Sequence, residues 1–137
     1  MLPAEIRSLI LDEQRRQGEN FINTVSVECY VSKIEKNAEF ICHFASGECI
    51  GFVAYYCNDP TSKNAFVTLL LVSPEGRGKG VARGLMKAAL CILQSRGFER
   101  CSLEVKKNNC AALRFYESLG FISVEERKDS CVMLLSF

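Results

Sequence analysis

A run of apolar residues, a glycine-rich loop and a helical pattern follow one another in the middle of the chain. Residues 69–93 read LLLVSPEGRGKGVARGLMKAALCIL, with three glycines in five consecutive residues. The segment AFVTLLLV, residues 65–72, is almost wholly apolar, which predicts a strand in the middle of a sheet. From Lys79 to about Arg96 apolar residues recur at helical spacing, and Gly97 ends this amphipathic helix. The sequence therefore predicts a strand, a glycine loop and a helix in direct succession.

Two helices and a hairpin are predicted ahead of that strand. Pro3 suits the first turn of a helix that ends at Gly18, and a second helix is expected from about Ser26 to Lys36. AEFICHFA and CIGFVAYY follow, joined by Ser46-Gly47-Glu48, and both segments are rich in aromatic and β-branched residues. They predict two antiparallel strands, after which Asn58-Asp59-Pro60 interrupts the chain.

The C-terminal third predicts one more helix between strands. RCSLEVK is a short strand, Asn109 to about Leu119 is a helix, and FISVEER pairs with CVMLLSF. The order of the elements predicts an α/β fold whose sheet is antiparallel at its ends and has a parallel crossover in the middle. The 137 residues suit a single domain, residues 1–137. The apolar last strand can pair across the edge of a homodimer.

Charge and cysteine spacing exclude several classes of function. Seventeen basic against sixteen acidic residues leave a net charge of +1, which provides no field that attracts nucleic acid or an anionic membrane. The N-terminus lacks a signal-peptide layout and no apolar run could cross a bilayer, so we expect a cytoplasmic protein. The eight cysteines form no metal-binding spacing and His43 is the single histidine, so no metal is expected and the thiols act as small hydrophobes.

The glycine loop matches neither of the common nucleotide-binding patterns. A Walker A loop requires glycine where Ser73 stands and serine or threonine at Gly80. A dinucleotide fingerprint requires a third glycine at Val81 or at Arg83, according to where it begins. Glycines still allow consecutive backbone N–H groups to turn toward one anion, and the helix that follows presents its positive end there. The loop therefore predicts an anion site, flanked by cationic side chains.

Two blocks of the sequence resemble the GNAT family of N-acetyltransferases. Its signature Q/R-x-x-G-x-G/A stands here as RGKGVA, preceded by the family-like Val-x-Pro. The segment LEVKKNNCAALRFYESLGF is similar to the family's L-x-V-x(3)-N-x-x-A-x(3)-Y-x(3)-G-F. The resemblance extends from about Phe40 to the C-terminus, and no counterpart of the family's customary first strand precedes Pro3. It implies a mixed central sheet with splayed middle strands, flanked by about four helices.

The resemblance also implies that the anion is the diphosphate of acetyl-CoA, a co-substrate. The pantetheine arm would lie along the strand and the acetyl group would enter the gap between the splayed strands. The cofactor-binding residues are then those of the strand end, the loop, the first helical turn and one asparagine: Leu70, Leu71, Val72, Arg77, Gly78, Lys79, Gly80, Val81, Ala82, Arg83 and Asn109.

Two residues are the candidates for proton transfer. An alkyl amine is mostly protonated near neutral pH and must lose a proton before it attacks. Many relatives use a glutamate on the strand before the loop, but AFVTLLLV contains no carboxylate. Strand alternation places Glu104 opposite Leu103 and Val105, so Glu104 is the candidate base, with a solvated carboxylate or a partner of Lys106 as the alternative. The family's tyrosine that protonates the leaving thiolate corresponds to Tyr116, with a packing role as the alternative. A covalent route through Cys110 is disfavoured because no histidine is near it in sequence.

These assignments predict an acetyl-CoA-dependent N-acetyltransferase that acts by direct transfer in a ternary complex. A small-molecule primary amine is the favoured acceptor. A protein or peptide N-terminus is the alternative, because LEVKKN resembles the branch that acetylates the N-termini of ribosomal proteins. A catalytically silent acetyl-CoA-binding module is a further alternative, because the usual glutamate is absent.

Overall fold

Four helices and six strands form in the computed structural model, which describes residues 4–17, 27–58, 61 and 63–137. In chain order these are α1 (Ala4–Gln17), α2 (Val27–Asn37), β1 (Glu39–Ala45), β2 (Glu48–Tyr56), β3 (Asn64–Val72), α3 (Val81–Ser95), β4 (Arg100–Lys106), α4 (Cys110–Ser118), β5 (Ile122–Glu126) and β6 (Ser130–Ser136). This is the predicted order, and a short 3-10 turn at Pro74–Gly76 is an addition to it. The predicted helix boundaries at Pro3, Gly18 and Ser26, and the break at Asp59-Pro60, lie outside the described residues.

The six strands form one mixed sheet in the order β1-β2-β3-β4-β6-β5. Among the strands that the structure describes, only the β3–β4 pair is parallel and its neighbours are antiparallel, which confirms the α/β sheet expected from the sequence. Strand β6 pairs with β4 on one side and with β5 on the other. The expectation that the last strand pairs across a dimer edge is therefore wrong, because β1 and β5 are the outer strands.

The sheet splits between its two parallel strands. The β3–β4 ladder runs from the Asn64–Arg100 pair to the Val67–Leu103 pair and stops, although both strands continue beyond it. On its other side β3 carries a bulge, because Ala54 pairs with Leu69 and Tyr55 with Val67, which leaves Thr68 between them. A bulge bends its strand and increases the local twist. The strands separate from Thr68 and Glu104 onward, which gives the splayed middle strands of the predicted fold.

Helices cover the sheet on both faces. Helices α3 and α4 pack on one face around Met86, Leu93 and Met133, each at most 1% exposed. On the other face α1 and α2 bury Ile10 and Ile34. Apolar side chains at helical spacing generate these contacts, since a stripe of such residues must be removed from water. The two layers hold the split strands between them.

Candidate active site

The glycine loop leaves backbone N–H groups available at the start of α3. Gly78 and Gly80 have φ angles of 79° and 80°, in the left-handed region that glycine adopts without strain. No backbone acceptor among the described residues pairs with the N–H groups of residues 78–80. The N–H groups of Val81, Ala82 and Arg83 belong to the first helical turn, where no intrahelical partner exists. The loop and the helix end therefore combine N–H donors with a positive dipole, as an anion requires.

The three predicted cationic side chains around the loop point in different directions. Arg77 donates from Nη2 to Glu13 Oε1 at 2.9 Å and from Nε to the carbonyl oxygen of Val72 at 3.0 Å. Arg83 donates from Nη2 to Ser118 Oγ at 2.8 Å and lies 5.7 Å above the Phe115 ring. Lys79 is exposed and forms no ion pair with any described residue. The half-exposed side chain of Arg77 thus connects the loop to α1.

A cavity of about 530 Å³ occupies the split between β3 and β4. It is lined by residues 67–72 of β3, by residues 103–106 of β4 and, from the helices, by Glu13, Asn109 and Tyr116 among others. A second cavity of about 240 Å³ lies over the glycine loop, against Gly78, Gly80, Val81, Ala82, Arg83 and Phe115. Ala82 and Arg77 border both cavities. Except for Lys79, the predicted site residues therefore line two adjoining cavities.

Asn109 also has a local structural role. It is the N-cap of α4, and its Oδ1 accepts a hydrogen bond from the Ala112 N–H at 3.1 Å. Such a cap satisfies one of the donors that the first helical turn leaves without a partner. The cap holds the start of α4 against the cavity, so that Asn109 and Tyr116 face the same space.

Tyr116 lies between two aromatic rings at the cavity wall. The centres of the Phe115 and Phe121 rings are 5.1 Å and 5.8 Å from the centre of its own ring. Burial raises the pKa of Tyr116 to about 12, and the Cys101 thiol is a smaller cause of the increase. The phenol therefore stays protonated at all physiological pH values, as a proton donor must.

Glu104 lies where β4 leaves β3, and its side chain is held from the neighbouring hairpin. Leu103 and Val105 are 1% and 4% exposed while Glu104 is exposed, so the predicted alternation is confirmed. Arg127 donates from Nη1 to Glu104 Oε1 at 3.1 Å, and the Ser130 hydroxyl donates to Oε2. These two partners orient the carboxylate at the cavity.

Glu13 is a site residue that was not predicted from the sequence. Its side chain is buried in α1 and contributes to the wall of the larger cavity. The signal was available, because Ile6, Ile10 and Glu13 lie on one face of the helix at spacings of four and three residues. A buried carboxylate within an apolar stripe indicates a partner of opposite charge.

The cysteines are free thiols, and three of them, Cys49, Cys101 and Cys131, are buried as small core residues. Cys110 is exposed at the start of α4 and does not border the cavity in the split. Within the part of the chain that the structure describes, no three acidic, histidine or cysteine side chains converge on a possible metal site. Of the four helices described, none has the length and apolar character needed to span a membrane.

Comparison with known proteins identifies the family. The model of the Acetyltransferase (GNAT) family matches residues 6–121. Because this match covers most of the chain, the chain belongs to that family. A mycothiol acetyltransferase of Thermobispora bispora is 52% identical over 50 residues, which is 36% of this chain and 17% of that protein. The N-alpha-acetyltransferase 30 of Schizosaccharomyces pombe is 38% identical over 61 residues, 44% of this chain and 41% of that protein. The matched segments thus span less than half of either relative.

The fold is shared with solved structures. The PaiA N-acetyltransferase from Thermoplasma acidophilum, crystallised in complex with coenzyme A, superimposes with a TM-score of 0.77 at 18% identity. The superposition covers 97% of this chain and 91% of that one. This agreement confirms the GNAT-like sheet and its helices.

Proposed function

We propose that this protein transfers an acetyl group from acetyl-CoA to the primary amine of a small molecule, directly and within a ternary complex. The observation that carries the proposal is the junction of the two cavities. The loop cavity can take a diphosphate, and the split next to it contains both candidate proton-transfer residues, Glu104 and Tyr116.

The diphosphate would be bound by the loop and the first turn of α3. Residues 78–83 offer N–H groups and the positive end of the helix. The space beside Gly78 and Gly80 is open for a ligand, because a Cβ added at either glycine would meet no other atom within 4 Å. The pantetheine arm would extend along Leu70, Leu71 and Val72, beyond the point where the ladder between β3 and β4 ends. Lys79 would add positive charge at the surface.

Chemistry in the split requires three proton transfers. The protonated amine gives its extra proton to Glu104 and attacks the carbonyl carbon, so that a C–N bond forms. The C–S bond of the thioester then breaks, and the new nitrogen group loses its second proton to solvent, which leaves a neutral amide. The departing thiolate takes a proton from Tyr116, which recovers one from solvent. A phenol of pKa about 12 is a weak acid. The thiolate in the same desolvated cavity is correspondingly more basic than in water, which keeps the transfer feasible.

A peptide or protein N-terminus is the second candidate acceptor. It is favoured by the similarity to the N-alpha-acetyltransferase 30 of Schizosaccharomyces pombe. Arg127 and Ser130 of the β5–β6 hairpin donate hydrogen bonds to Glu104, so this hairpin borders one end of the cavity. A peptide could approach along that hairpin.

Release of free thiol from acetyl-CoA distinguishes these candidates. The protein is incubated with acetyl-CoA and with two panels, one of small primary amines and one of peptides with free N-termini. We expect turnover with members of the amine panel. Turnover with peptides alone would replace the proposal by the second candidate. Binding of acetyl-CoA without turnover in either panel would indicate a catalytically silent binding module.

A further inference from the structure

A buried carboxylate of α1 holds the arginine that begins the glycine loop. Glu13 is only 3% exposed, although glutamate is rarely buried without a charged partner. Its Oε1 accepts hydrogen bonds from Arg16 Nη2 at 2.6 Å and Nε at 3.1 Å, and from Arg77 Nη2 at 2.9 Å. Arg16 is on the same helix, whereas Arg77 is 64 positions away in sequence. The second contact therefore ties the loop to a different layer of the fold.

Arg77 uses its guanidinium group to join three elements. Nη2 reaches α1 through Glu13, Nε binds the carbonyl oxygen at the end of β3, and the backbone of Arg77 begins the loop. A planar guanidinium can make both bonds at once in a fixed geometry, which a lysine ammonium cannot reproduce. Arg77 is followed by Gly78, and glycines lose more conformational freedom on ordering than other residues. Fixing the residue ahead of Gly78 lowers the number of conformations that the loop must give up when it binds a ligand.

The charge of Arg77 is largely balanced by carboxylates on the protein itself. Glu13 contacts it directly. The pKa of the exposed Glu75 is lowered by the Glu75 backbone N–H and by Ser73, with smaller contributions from Arg16 and Arg77. The cluster of Glu13, Arg16, Glu75 and Arg77 thus contains two charges of each sign. Arg77 is therefore better suited to hold the loop than to supply a free positive charge to a phosphate.

We propose that Glu13 is a positioning residue for acetyl-CoA: its carboxylate fixes Arg77, which in turn fixes the end of β3 and the entry to the glycine loop. Helix α1 thereby sets the affinity for the coenzyme through Arg77. This inference rests on the proposed function, because it assumes that the loop binds the coenzyme diphosphate.

Three variants test the proposal by calorimetric titration with coenzyme A and by steady-state kinetics. Glu13→Gln keeps the shape of the side chain and removes its charge, and Arg77→Lys keeps a positive charge and loses the two-pronged geometry. We expect each to raise the Kd for coenzyme A about tenfold, equivalent to about 1.4 kcal/mol. The kcat at saturating acetyl-CoA should change less than about twofold, since neither residue carries a proton in the reaction. The matched control is Arg16→Gln, which removes another partner of Glu13 while the contact between Glu13 and Arg77 stays in place, and it should leave Kd within about twofold.

The double variant Glu13→Gln/Arg77→Lys separates positioning from two unrelated structural effects. Residues that act through one contact are not additive, so we expect the double variant to lose about tenfold in affinity, as each single variant does. A loss of about a hundredfold would overturn the proposal, as would a wild-type Kd in Glu13→Gln. If Glu13→Gln does not fold, Arg77→Lys decides, because it leaves Glu13 paired with Arg16, and an unchanged Kd in it overturns the proposal. Absence of coenzyme binding by the wild-type protein would instead refute the proposed function.

Discussion

Replacing Gly80 by alanine tests the glycine loop, because its effects on stability and on binding can be separated. Gly80 is the N-cap of α3 with φ 80° and ψ 9°, and a Cβ there meets nothing within 4 Å. The free protein is therefore destabilised only through its backbone conformation: an alanine in the left-handed region costs about 1–2 kcal/mol. Alanine also lowers the conformational entropy of the unfolded chain, which offsets part of this cost. We expect a net loss of about 1 kcal/mol, which lowers Tm by roughly 3 °C for a domain of this size.

Binding of the coenzyme should suffer more than stability does. The new methyl group would occupy the open space in which the diphosphate is expected, and the N–H groups beside it would lose their alignment. Loss of one charge-assisted hydrogen bond costs about 1.5–3 kcal/mol, so the Kd for coenzyme A should rise at least tenfold. Titration calorimetry measures the Kd, and thermal unfolding followed by circular dichroism measures Tm.

Gly84→Ala is the matched control, in the same helix and one turn further on. Gly84 is exposed, lies within α3, and a Cβ there also meets nothing within 4 Å. Alanine is the better helix former, so this variant should be more stable by about 0.5–1 kcal/mol and bind coenzyme A as the wild type does. If Gly80→Ala bound coenzyme A with the wild-type Kd, the assignment of the diphosphate to this loop would be refuted.

Three further predictions concern the residues in the split. Tyr116→Phe should lower kcat by about 10²–10⁴-fold while the Kd for acetyl-CoA changes little, because a general acid acts in the transition state. An unchanged rate of thiol release from acetyl-CoA would exclude Tyr116 as the general acid. In the folded protein the pKa of Tyr116 is about 12, above its ordinary 10.0, so the buried neutral phenol contributes to the free energy of unfolding. This contribution is complete below pH 10 and is lost as the pH rises toward 12. Unfolding midpoints at pH 8 and pH 11 should therefore differ less in Tyr116→Phe than in the wild type, and an equal difference would contradict the burial of the phenol. Glu104→Gln should lower kcat/KM for the amine at least a hundredfold, and Ser130→Ala, which removes one hydrogen bond to the carboxylate, should lower it less. A Glu104→Gln enzyme with wild-type kcat/KM would exclude Glu104 as the base.

Local patterns in the sequence predicted the parts of the site that are built from neighbouring residues. Glycines at alternate positions between an apolar strand and a helix predict the anion loop, because the required φ angles and the helix end are local properties. Alternation along β4 likewise places Glu104 on the face opposite Leu103 and Val105. These conclusions need no knowledge of which elements meet in space.

The missed features depend on contacts between distant segments. The Glu13–Arg77 pair joins two residues 64 positions apart, and nothing near Arg77 in sequence reveals that α1 packs beside it. The interior position of β6 follows from its pairing with β4, which places the last strand inside the sheet. The partners of Glu104 follow from the same pairing, since Arg127 and Ser130 flank the β5–β6 turn. Sequence periodicity indicates which face of an element is buried, but not which neighbour covers it.

Amide NMR of the ¹⁵N-labelled protein during titration with coenzyme A tests the central claim most directly. We predict that the largest chemical-shift changes fall on the amides of Gly78 to Arg83, with a second group at Leu70 to Val72 along β3. Inorganic pyrophosphate should move the first group and leave the second unchanged. Saturable chemical-shift changes confined to another surface, or no changes at millimolar coenzyme A, would contradict the claim that this loop binds the diphosphate and places the thioester in the split sheet.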